Sequence, residues 1–325
     1  MRIMIIGLGS MGKRRIRLLR RLDKDMSIIG VDSKQDRRDE AKKTFKIETY
    51  GDIGEVTEKK IDCAFVCTAP LSHGEIIWEC LQKGMHVFTE INLVPERYEE
   101  NVRLAKEKEC VLFLSSTFLY RDEIKYIEEE VKNSDSLLTY SYHVGQYLSD
   151  WHPWEKYTDF FIGDMRTNGC REIMAIELPW IYKVFGNIAD IHVRKNKKTT
   201  LNIDYNDSYL LSIEHENGIQ GVMLVDVVSR KAVRNFEVFG EDLYLAWDGT
   251  ANGVKKYDVQ NHKLDSVNLY KEIDSQDNYA EFIVENAYMN EINAFFDEIR
   301  TGKRPEYGIE EDRQILAMID EIEGR

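Results

Sequence analysis

The sequence predicts an α/β nucleotide-binding domain followed by an α+β domain, and three observations lead to this fold class. Strand-like and helix-like segments alternate through the first third of the chain, and a glycine-rich turn joins the first strand to the first helix. A run of strands with few helices between them follows. Because 325 residues exceed one ordinary core, we expect two domains, 1–120 and 121–325.

The first domain is predicted to contain a doubly wound parallel sheet. Segment 13–22 carries its apolar residues at helical spacing among basic ones, and short apolar runs alternate with segments of this kind. Parallel strands joined by crossover helices have this pattern. The predicted strands are 1–6, 26–31, 61–67, 86–88 and 111–114, and the predicted helices are 13–22, 36–45, 73–82 and 98–108.

The second domain is predicted to contain a large, mainly antiparallel sheet with flanking helices. Its strand-like segments are separated by turn signals such as Glu216-Asn217-Gly218. Two helices, 278–300 and 309–322, close the chain, and they are candidates to pack back on the first domain. The predicted strands are 137–148, 188–193, 209–215, 219–228, 235–239 and 243–247.

The turn after the first strand carries Gly7, Gly9 and Gly12 at G-x-G-x-x-G spacing. Gly7 permits the tight turn, Gly9 lets the backbone approach a pyrophosphate, and Gly12 allows close packing of helix on strand. The N-terminus of the next helix offers N–H groups and a positive dipole end to phosphates. Asp32, at the end of the second strand, is placed to accept hydrogen bonds from the adenosine ribose. The pattern predicts a Rossmann-type dinucleotide site.

Asp32 favours NAD over NADP, because its charge repels a 2′-phosphate. Lys34, Arg37 and Arg38 follow closely and could compensate such a phosphate, so NADP stays the less favoured alternative. The carboxyl ends of the other strands bring further residues to the cofactor. His73 is one of these candidates, and it could equally serve as a helix cap. The predicted cofactor-binding residues are Gly7, Leu8, Gly9, Ser10, Met11, Gly12, Asp32, Thr68, Ala69, His73 and Glu90.

Composition argues against several classes of function. A net charge of -14 disfavours binding to DNA, RNA or anionic lipid, which requires clustered cations. No stretch approaches the ~20 apolar residues of a membrane span, and Met1 leads directly into an apolar strand rather than a signal peptide. Five cysteines without C-x-x-C spacing indicate reduced thiols and a cytoplasmic protein. The histidines are scattered, so no metal site is expected.

The chain resembles, nearly end to end, the glucose-fructose oxidoreductase / inositol dehydrogenase (Gfo/Idh/MocA) family of NAD(P)-dependent sugar oxidoreductases. The resemblance rests on the glycine turn, the loop 67–73, the segment 84–90 and the helix 290–296. Segment 144–153 is similar to members associated with nucleotide-sugar, sialic-acid-like and surface-polysaccharide pathways. The resemblance implies hydride transfer between NAD(P) and a sugar, nucleotide sugar or related polyol, by a homodimer or homotetramer.

Two reactive motifs of that family are altered in this chain. Relatives usually carry Glu-Lys-Pro after the fourth strand, where this chain has Glu90-Ile91-Asn92. Aligning the first helix of the second domain with relatives puts Ile176 at the position of their reactive histidine. Hydride transfer from an alcohol needs a group that takes the hydroxyl proton, and isoleucine cannot do so.

Other residues must then supply the acid and base groups, or the chemistry differs. The candidate catalytic residues are Arg171, Glu172 and Glu177 on the same predicted helix, and His152 in the loop before it. The alternative hypothesis is an NAD(P)-binding regulatory or sensor protein without net redox activity.

Overall fold

The computed structural model describes residues 1–57, 60–151, 155–275 and 282–325. The chain divides into two compact units. The first comprises Met1–Ser116 and Met289–Leu316, and the second comprises Thr117–Tyr288 and Ala317–Arg325. Within the described ranges, no helix combines the length and apolar character that crossing a membrane requires.

The first unit contains a six-stranded parallel sheet in the order β3-β2-β1-β4-β5-β6, which confirms the predicted doubly wound Rossmann sheet. Its strands are β1 (Arg2–Ile6), β2 (Ser27–Val31), β3 (Glu48–Tyr50), β4 (Cys63–Val66), β5 (His86–Thr89) and β6 (Leu112–Leu114). Its helices are α1 (Ser10–Leu22), α2 (Gln35–Phe45), α3 (His73–Gln82) and α4 (Tyr98–Glu107). Strand β3 was not predicted, because this edge strand is short and polar.

The core of this unit is aromatic at the centre of the sheet. Phe88 stacks on Phe65 and on Phe113 from the neighbouring strands, with ring centroids 4.8 and 5.1 Å apart. Phe295 meets Phe65 edge to face at 5.5 Å. Phe295 belongs to α7 (Glu285–Thr301), whose later residues are part of this unit. Edge-to-face aromatic contacts of this kind stabilise beyond their buried area, so they hold α7 against the sheet.

The second unit contains an eight-stranded sheet in the order β14-β13-β12-β11-β7-β10-β9-β8. Only the β7–β10 pair is parallel among the described pairings, so the predicted mainly antiparallel sheet is confirmed. Its strands are β7 (Thr139–Gly145), β8 (Ile188–Asn196), β9 (Ser208–His215), β10 (Gln220–Asp226), β11 (Val233–Phe239), β12 (Tyr244–Trp247), β13 (Lys255–Asp258) and β14 (Lys263–Ser266).

Three elements of this unit were not predicted from the sequence. The polar hairpin of β13 and β14 shows little hydrophobic alternation, and α5 (Asp122–Asn133) was passed over. In α5, Ile124, Ile127 and Val131 are buried at helical spacing, which is the signal that identifies it. The helix α8 (Ile309–Glu323) ends the chain.

Helix α6 (Gly169–Phe185) packs on the buried face of the eight-stranded sheet. Asn168 caps it, because its side-chain oxygen accepts a hydrogen bond of 2.8 Å from the Arg171 N–H. Phe185 stacks on Tyr140 of β7 at 4.3 Å, and the helix then stops at Gly186, whose φ of +86° favours glycine. The cap and this packing fix the orientation of the helix on which three predicted catalytic residues lie.

Candidate functional site

The glycine turn lies at the carboxyl end of β1 and leaves no room for side chains. Gly7 has a φ of +91°, and a Cβ there would lie 2.6 Å from the Cys67 carbonyl oxygen. A Cβ on Gly12 would lie 1.9 Å from the Gly7 carbonyl oxygen. A Cβ on Gly9 would meet only the Arg37 side chain, at 3.6 Å. The turn is therefore closed on the protein side and open at Gly9, as a pyrophosphate-binding loop requires.

The N-terminus of α1 faces this opening. Gly9 is its N-cap and provides no side-chain cap, so the first N–H groups of the helix remain available to an anion. Ser10 is exposed, and Met11 is partly buried with its Sδ accepting from Arg14 Nη1 at 3.2 Å. The Leu8 side chain is buried in the core, so this residue contributes to the loop through its backbone.

Asp32 lies at the end of β2 and is only 7% exposed. Its Oδ2 accepts a 2.7 Å hydrogen bond from the Leu8 N–H, and its Oδ1 accepts one of 2.8 Å from the Lys34 N–H. The carboxylate is thus held between the glycine loop and the start of α2. Each oxygen keeps a further lone pair, which a ribose hydroxyl can use.

The loop after β4 contains Thr68, Ala69 and His73. Ala69 is exposed, whereas Ser72 Oγ lies 2.8 Å from Thr68 Oγ1. His73 is buried, with Nε2 2.9 Å from the Thr68 carbonyl oxygen and Nδ1 2.6 Å from the Asn92 side-chain oxygen. His73 therefore joins this loop to the loop after β5, and its hydrogen bonds are made within the protein.

Burial lowers the pKa of His73, against the opposing effect of its hydrogen bonds to Thr68 and Asn92. The Thr68 carbonyl oxygen can only accept, so His73 Nε2 donates to it, while Nδ1 contacts the side-chain amide of Asn92. Asn92 stands where relatives carry the proline of Glu-Lys-Pro. The altered motif therefore has a structural use: it ties the two loops together.

Glu90 belongs to a buried charge cluster that was not predicted from the sequence. Arg15 Nε donates to Glu90 Oε1 at 2.6 Å, and Arg15 Nη2 donates to Glu291 Oε2 at 2.9 Å. Ser115 Oγ and the Ser116 N–H donate to Glu291 Oε1, at 3.0 and 2.7 Å. Burial raises the pKa of Glu291, and Arg15 acts against that rise. Glu90 therefore holds the end of β5 in place through Arg15, rather than offering a free base.

On α6, two of the predicted catalytic residues are paired within the second unit. Arg171 is 1% exposed, and its Nη1 donates to Glu323 at 2.6 Å and lies 2.8 Å from Asp320. Glu177 is fully buried and accepts from Tyr142 Oη at 2.7 Å and from Arg234 Nη2 at 2.6 Å. Their charges are neutralised inside the fold.

Glu172 differs from both. Its side chain is not fully buried, yet Oε2 is shielded from solvent and has no hydrogen-bond partner among the described residues. Burial raises the pKa of Glu172 to about 7. A carboxyl group whose pKa lies near neutrality can both take and return a proton at physiological pH. His152, the fourth predicted catalytic residue, lies outside the described residues.

Comparison with known proteins identifies the first unit. The Gfo/Idh/MocA family model, described as an oxidoreductase family with an NAD-binding Rossmann fold, matches residues 1–116. The myo-inositol 2-dehydrogenase of Thermotoga maritima is 28% identical over 137 residues. That alignment covers 41% of each chain, so this chain spans less than half the length of the curated relative it matches.

Solved structures resemble the whole fold. Levoglucosan dehydrogenase in complex with NADH superimposes with a TM-score of 0.80 at 14% identity, covering 100% of this chain and 96% of that one. An Agrobacterium radiobacter oxidoreductase with NAD+ and L-tartaric acid gives 0.81 at 12% identity, over 100% and 96%. UDP-N-acetylglucosamine 3-dehydrogenase of Acidithiobacillus ferrooxidans gives 0.78 at 16% identity, over 99% and 96%. These likenesses agree with the fold described above, a parallel Rossmann sheet followed by a mainly antiparallel sheet.

Proposed function

We propose that the chain is an NAD(P)-dependent oxidoreductase acting on a CH–OH group of a sugar, nucleotide sugar or related polyol, because residues 1–116 match the Gfo/Idh/MocA family model of NAD-binding oxidoreductases. The observation that carries this proposal is the glycine turn with the buried Asp32 beside it. The substrates named for the relatives support the substrate class: an inositol, an anhydrosugar and a nucleotide sugar.

The residues of the first unit fit a dinucleotide. The open side of the loop at Gly9 and the uncapped N-terminus of α1 would hold the pyrophosphate. The carboxylate of Asp32 would accept the adenosine ribose hydroxyls, since it is fixed by two backbone hydrogen bonds. When bound, the nicotinamide ring accepts the hydride in the oxidative direction and returns it in the reductive one.

We assign proton transfer to Glu172. Oxidising an alcohol to a carbonyl breaks the C–H bond as hydride and the O–H bond as proton, so a base must receive that proton. Of the three described acid/base candidates on α6, Arg171 and Glu177 are held in buried ion pairs. Glu172 Oε2 has no hydrogen-bond partner in the ranges that the structure describes, and burial raises the pKa of this carboxyl group to about 7. In this proposal Glu172 does what a histidine does in relatives, from a position one turn earlier on the same helix.

The first experiment is calorimetric titration with NADH and NADPH, of the natural chain and of Asp32→Ala. We expect NADH to bind and the substitution to weaken binding by about tenfold or more, because the ribose hydroxyls lose their acceptor. Arg103→Ala on α4 is the control, since that side chain is 70% exposed. Absence of binding by either dinucleotide would overturn the proposal.

The second experiment tests turnover and Glu172. A panel of sugars, nucleotide sugars and inositols is screened for NADH formation, and the best substrate is then used with Glu172→Gln and Glu172→Asp. We expect oxidative kcat to fall below pH 7 with a slope of one, and Glu172→Gln to lower kcat by about a hundredfold or more. Glu172→Asp keeps the carboxylate and should retain part of the activity. Binding without turnover across the panel would instead favour the regulatory alternative.

A group of exposed apolar residues on the eight-stranded sheet supports self-association as a homodimer or homotetramer. Leu210, Val222 and Phe239, on β9, β10 and β11, are 49%, 48% and 41% exposed on the face opposite α6. Apolar residues on one open sheet face indicate a contact surface, and we propose a second copy as its occupant. Val222→Lys should lower the mass measured by light scattering, whereas an unchanged oligomer would contradict this.

The odd number of cysteines supports action in the reducing cytoplasm.

A further inference from the structure

The turn that follows β10 in the second unit is fixed by a buried carboxylate. Asp226 Oδ1 accepts hydrogen bonds from the N–H groups of Val228 and Ser229, at 2.8 and 2.7 Å. Its Oδ2 accepts from Ser229 Oγ at 3.0 Å and lies 2.8 Å from His143 Nε2. A Cβ on Gly145 of β7 would lie 2.7 Å from the same Oδ2, so a glycine is needed beside it. Asp226 therefore fixes the backbone that leads into the next residue of the turn.

That next residue, Arg230, is stacked on Tyr147 from the loop after β7. The Tyr147 N–H donates to the Ser229 carbonyl oxygen at 2.6 Å, and the Leu148 N–H donates to the Val227 carbonyl oxygen at 3.1 Å. The guanidinium carbon of Arg230 lies 3.6 Å from the centre of the Tyr147 ring. A guanidinium group stacked on an aromatic ring keeps its N–H donors in its own plane, where they remain available to a ligand. We call Arg230 and Tyr147 the stacked pair.

The positive charge of this turn is not neutralised by a neighbouring acid. Arg230 and the adjacent Lys231 are both exposed, and neither forms an ion pair with a carboxylate in the described part of the chain. The chain as a whole carries a net charge of -14, so two adjacent cations without an acidic partner stand out against their surroundings. Such a pair of cations attracts anions to the turn.

The stacked pair adjoins the beginning of α6. Gly169 is the first residue of that helix, and a Cβ there would lie 2.9 Å from Leu148 Cδ1 and 3.0 Å from Val227 Cγ1. Leu148 and Val227 belong to the two hydrogen-bonded segments that hold the stacked pair. Glu172, the group to which we assign proton transfer, is three residues further along the helix. The stacked pair therefore lies close to the end of α6 that carries the acid/base group.

We propose that the stacked pair binds a phosphate group of the substrate, so that the chain acts on phosphorylated sugars, either sugar phosphates or nucleoside diphosphate sugars. This inference rests on the proposed function, because it selects among the substrate classes named there. A guanidinium group pairs bidentately with phosphate oxygens, and Lys231 adds a second positive charge beside it. A sugar or inositol without an anionic group gains nothing from either cation.

The first arm of the test is kinetic and compares free sugars, sugar 1-phosphates and nucleotide sugars as substrates. We expect the best substrate to carry a phosphate, and Arg230→Gln to raise its KM by about tenfold with kcat changed by less than about threefold. Arg230→Lys should give a smaller rise, because it keeps the charge but loses the bidentate geometry. Tyr147→Leu should raise KM by about threefold, and Tyr147→Phe by less, because the ring supports the guanidinium group. A best substrate without phosphate, or an unchanged KM in Arg230→Gln, would overturn the proposal.

The second arm does not depend on turnover and uses inorganic diphosphate as the probe. It is titrated by calorimetry into the full chain with saturating NADH, so that the glycine loop is already occupied. We expect saturable binding that Arg230→Gln weakens by about tenfold. Arg194→Gln is the matched control, because it removes an exposed arginine of the same unit from β8, two strands away from β10 in the sheet.

The two arms separate this proposal from the proposed function. If the chain oxidises a sugar with NAD(P) but neither arm responds to Arg230→Gln, the phosphate subsite fails and the proposed function stands. If no substrate is turned over but diphosphate binding requires Arg230, the proposed function fails and the anion site stands. Light scattering is run on Arg230→Gln, and a lowered mass would assign Arg230 to a contact between copies and overturn the proposal.

Discussion

Replacing Arg15 by methionine should strongly destabilise the first unit. The guanidinium group is fully buried, donates to Glu90 and Glu291, and lies 4.4 Å from the centre of the Phe88 ring. Methionine fills much of the volume but removes the guanidinium group that donates to both buried carboxylates. Breaking a buried ion pair by removing one partner costs about 3–5 kcal/mol, roughly a thousandfold in the folding equilibrium.

The assay is urea unfolding followed by hydrogen exchange of peptides from α1 and β5, which isolates the first unit from the second. Glu291→Gln in the Arg15→Met background should restore part of the stability, because it removes one of the two buried negative charges that Arg15 offset. Arg103→Met is the control and should change stability by less than about 0.5 kcal/mol, since its side chain is exposed.

The pH dependence of the free energy of unfolding provides a second check on the role of Arg15. Burial raises the folded-state pKa of Glu291, so the folded chain holds this proton to a higher pH than the unfolded chain does. The contribution of Glu291 to stability is therefore present at low pH and is lost as the pH rises through the raised pKa. Without Arg15 that loss should be larger, and the variant should recover on acidification. A cost below about 1 kcal/mol at pH 7, or no recovery in the double variant, would refute the reasoning.

Three further predictions follow from single side chains. Glu172→Gln should stabilise the chain by about 2 kcal/mol at pH 8 and much less at pH 4.5. The reason is that the raised pKa of about 7 means that ionised Glu172 destabilises the folded state. Equal shifts of the urea midpoint at both pH values would contradict this. Gly12→Ala should abolish NADH binding, since its Cβ would lie 1.9 Å from a carbonyl oxygen. Gly84→Ala has open space around it and should lower the free energy of unfolding by only about 1–2 kcal/mol. A comparable loss of NADH affinity in both variants, measured by calorimetry, would refute the steric argument. Arg234→Met should lower the free energy of unfolding by about 3–5 kcal/mol, because buried Glu177 loses its arginine partner. An unchanged free energy of unfolding would show that the ion pair is dispensable.

Local patterns identified most of the first unit and the dinucleotide loop. Helix 73–82 was predicted with the bounds that the structure has, and the glycine spacing with Asp32 indicated the cofactor type before any contact was known. These features depend on short segments: a steric limit at each glycine, a helix beginning directly after a strand, and alternation of apolar runs. Physical rules that act over a few residues are sufficient to predict them.

Only the tertiary structure decided which charged residues are paired. Arg15 and Glu291 are 276 positions apart, and Arg171 meets Glu323 across 152 positions, so no local pattern connects them. On the sequence, Arg171, Glu172 and Glu177 were equivalent candidates on one helix. Folding buries two of them against distant partners, whereas Glu172 Oε2 is desolvated and has no hydrogen-bond partner in the described part of the chain. The reason is that pairing depends on which elements pack together rather than on helix position.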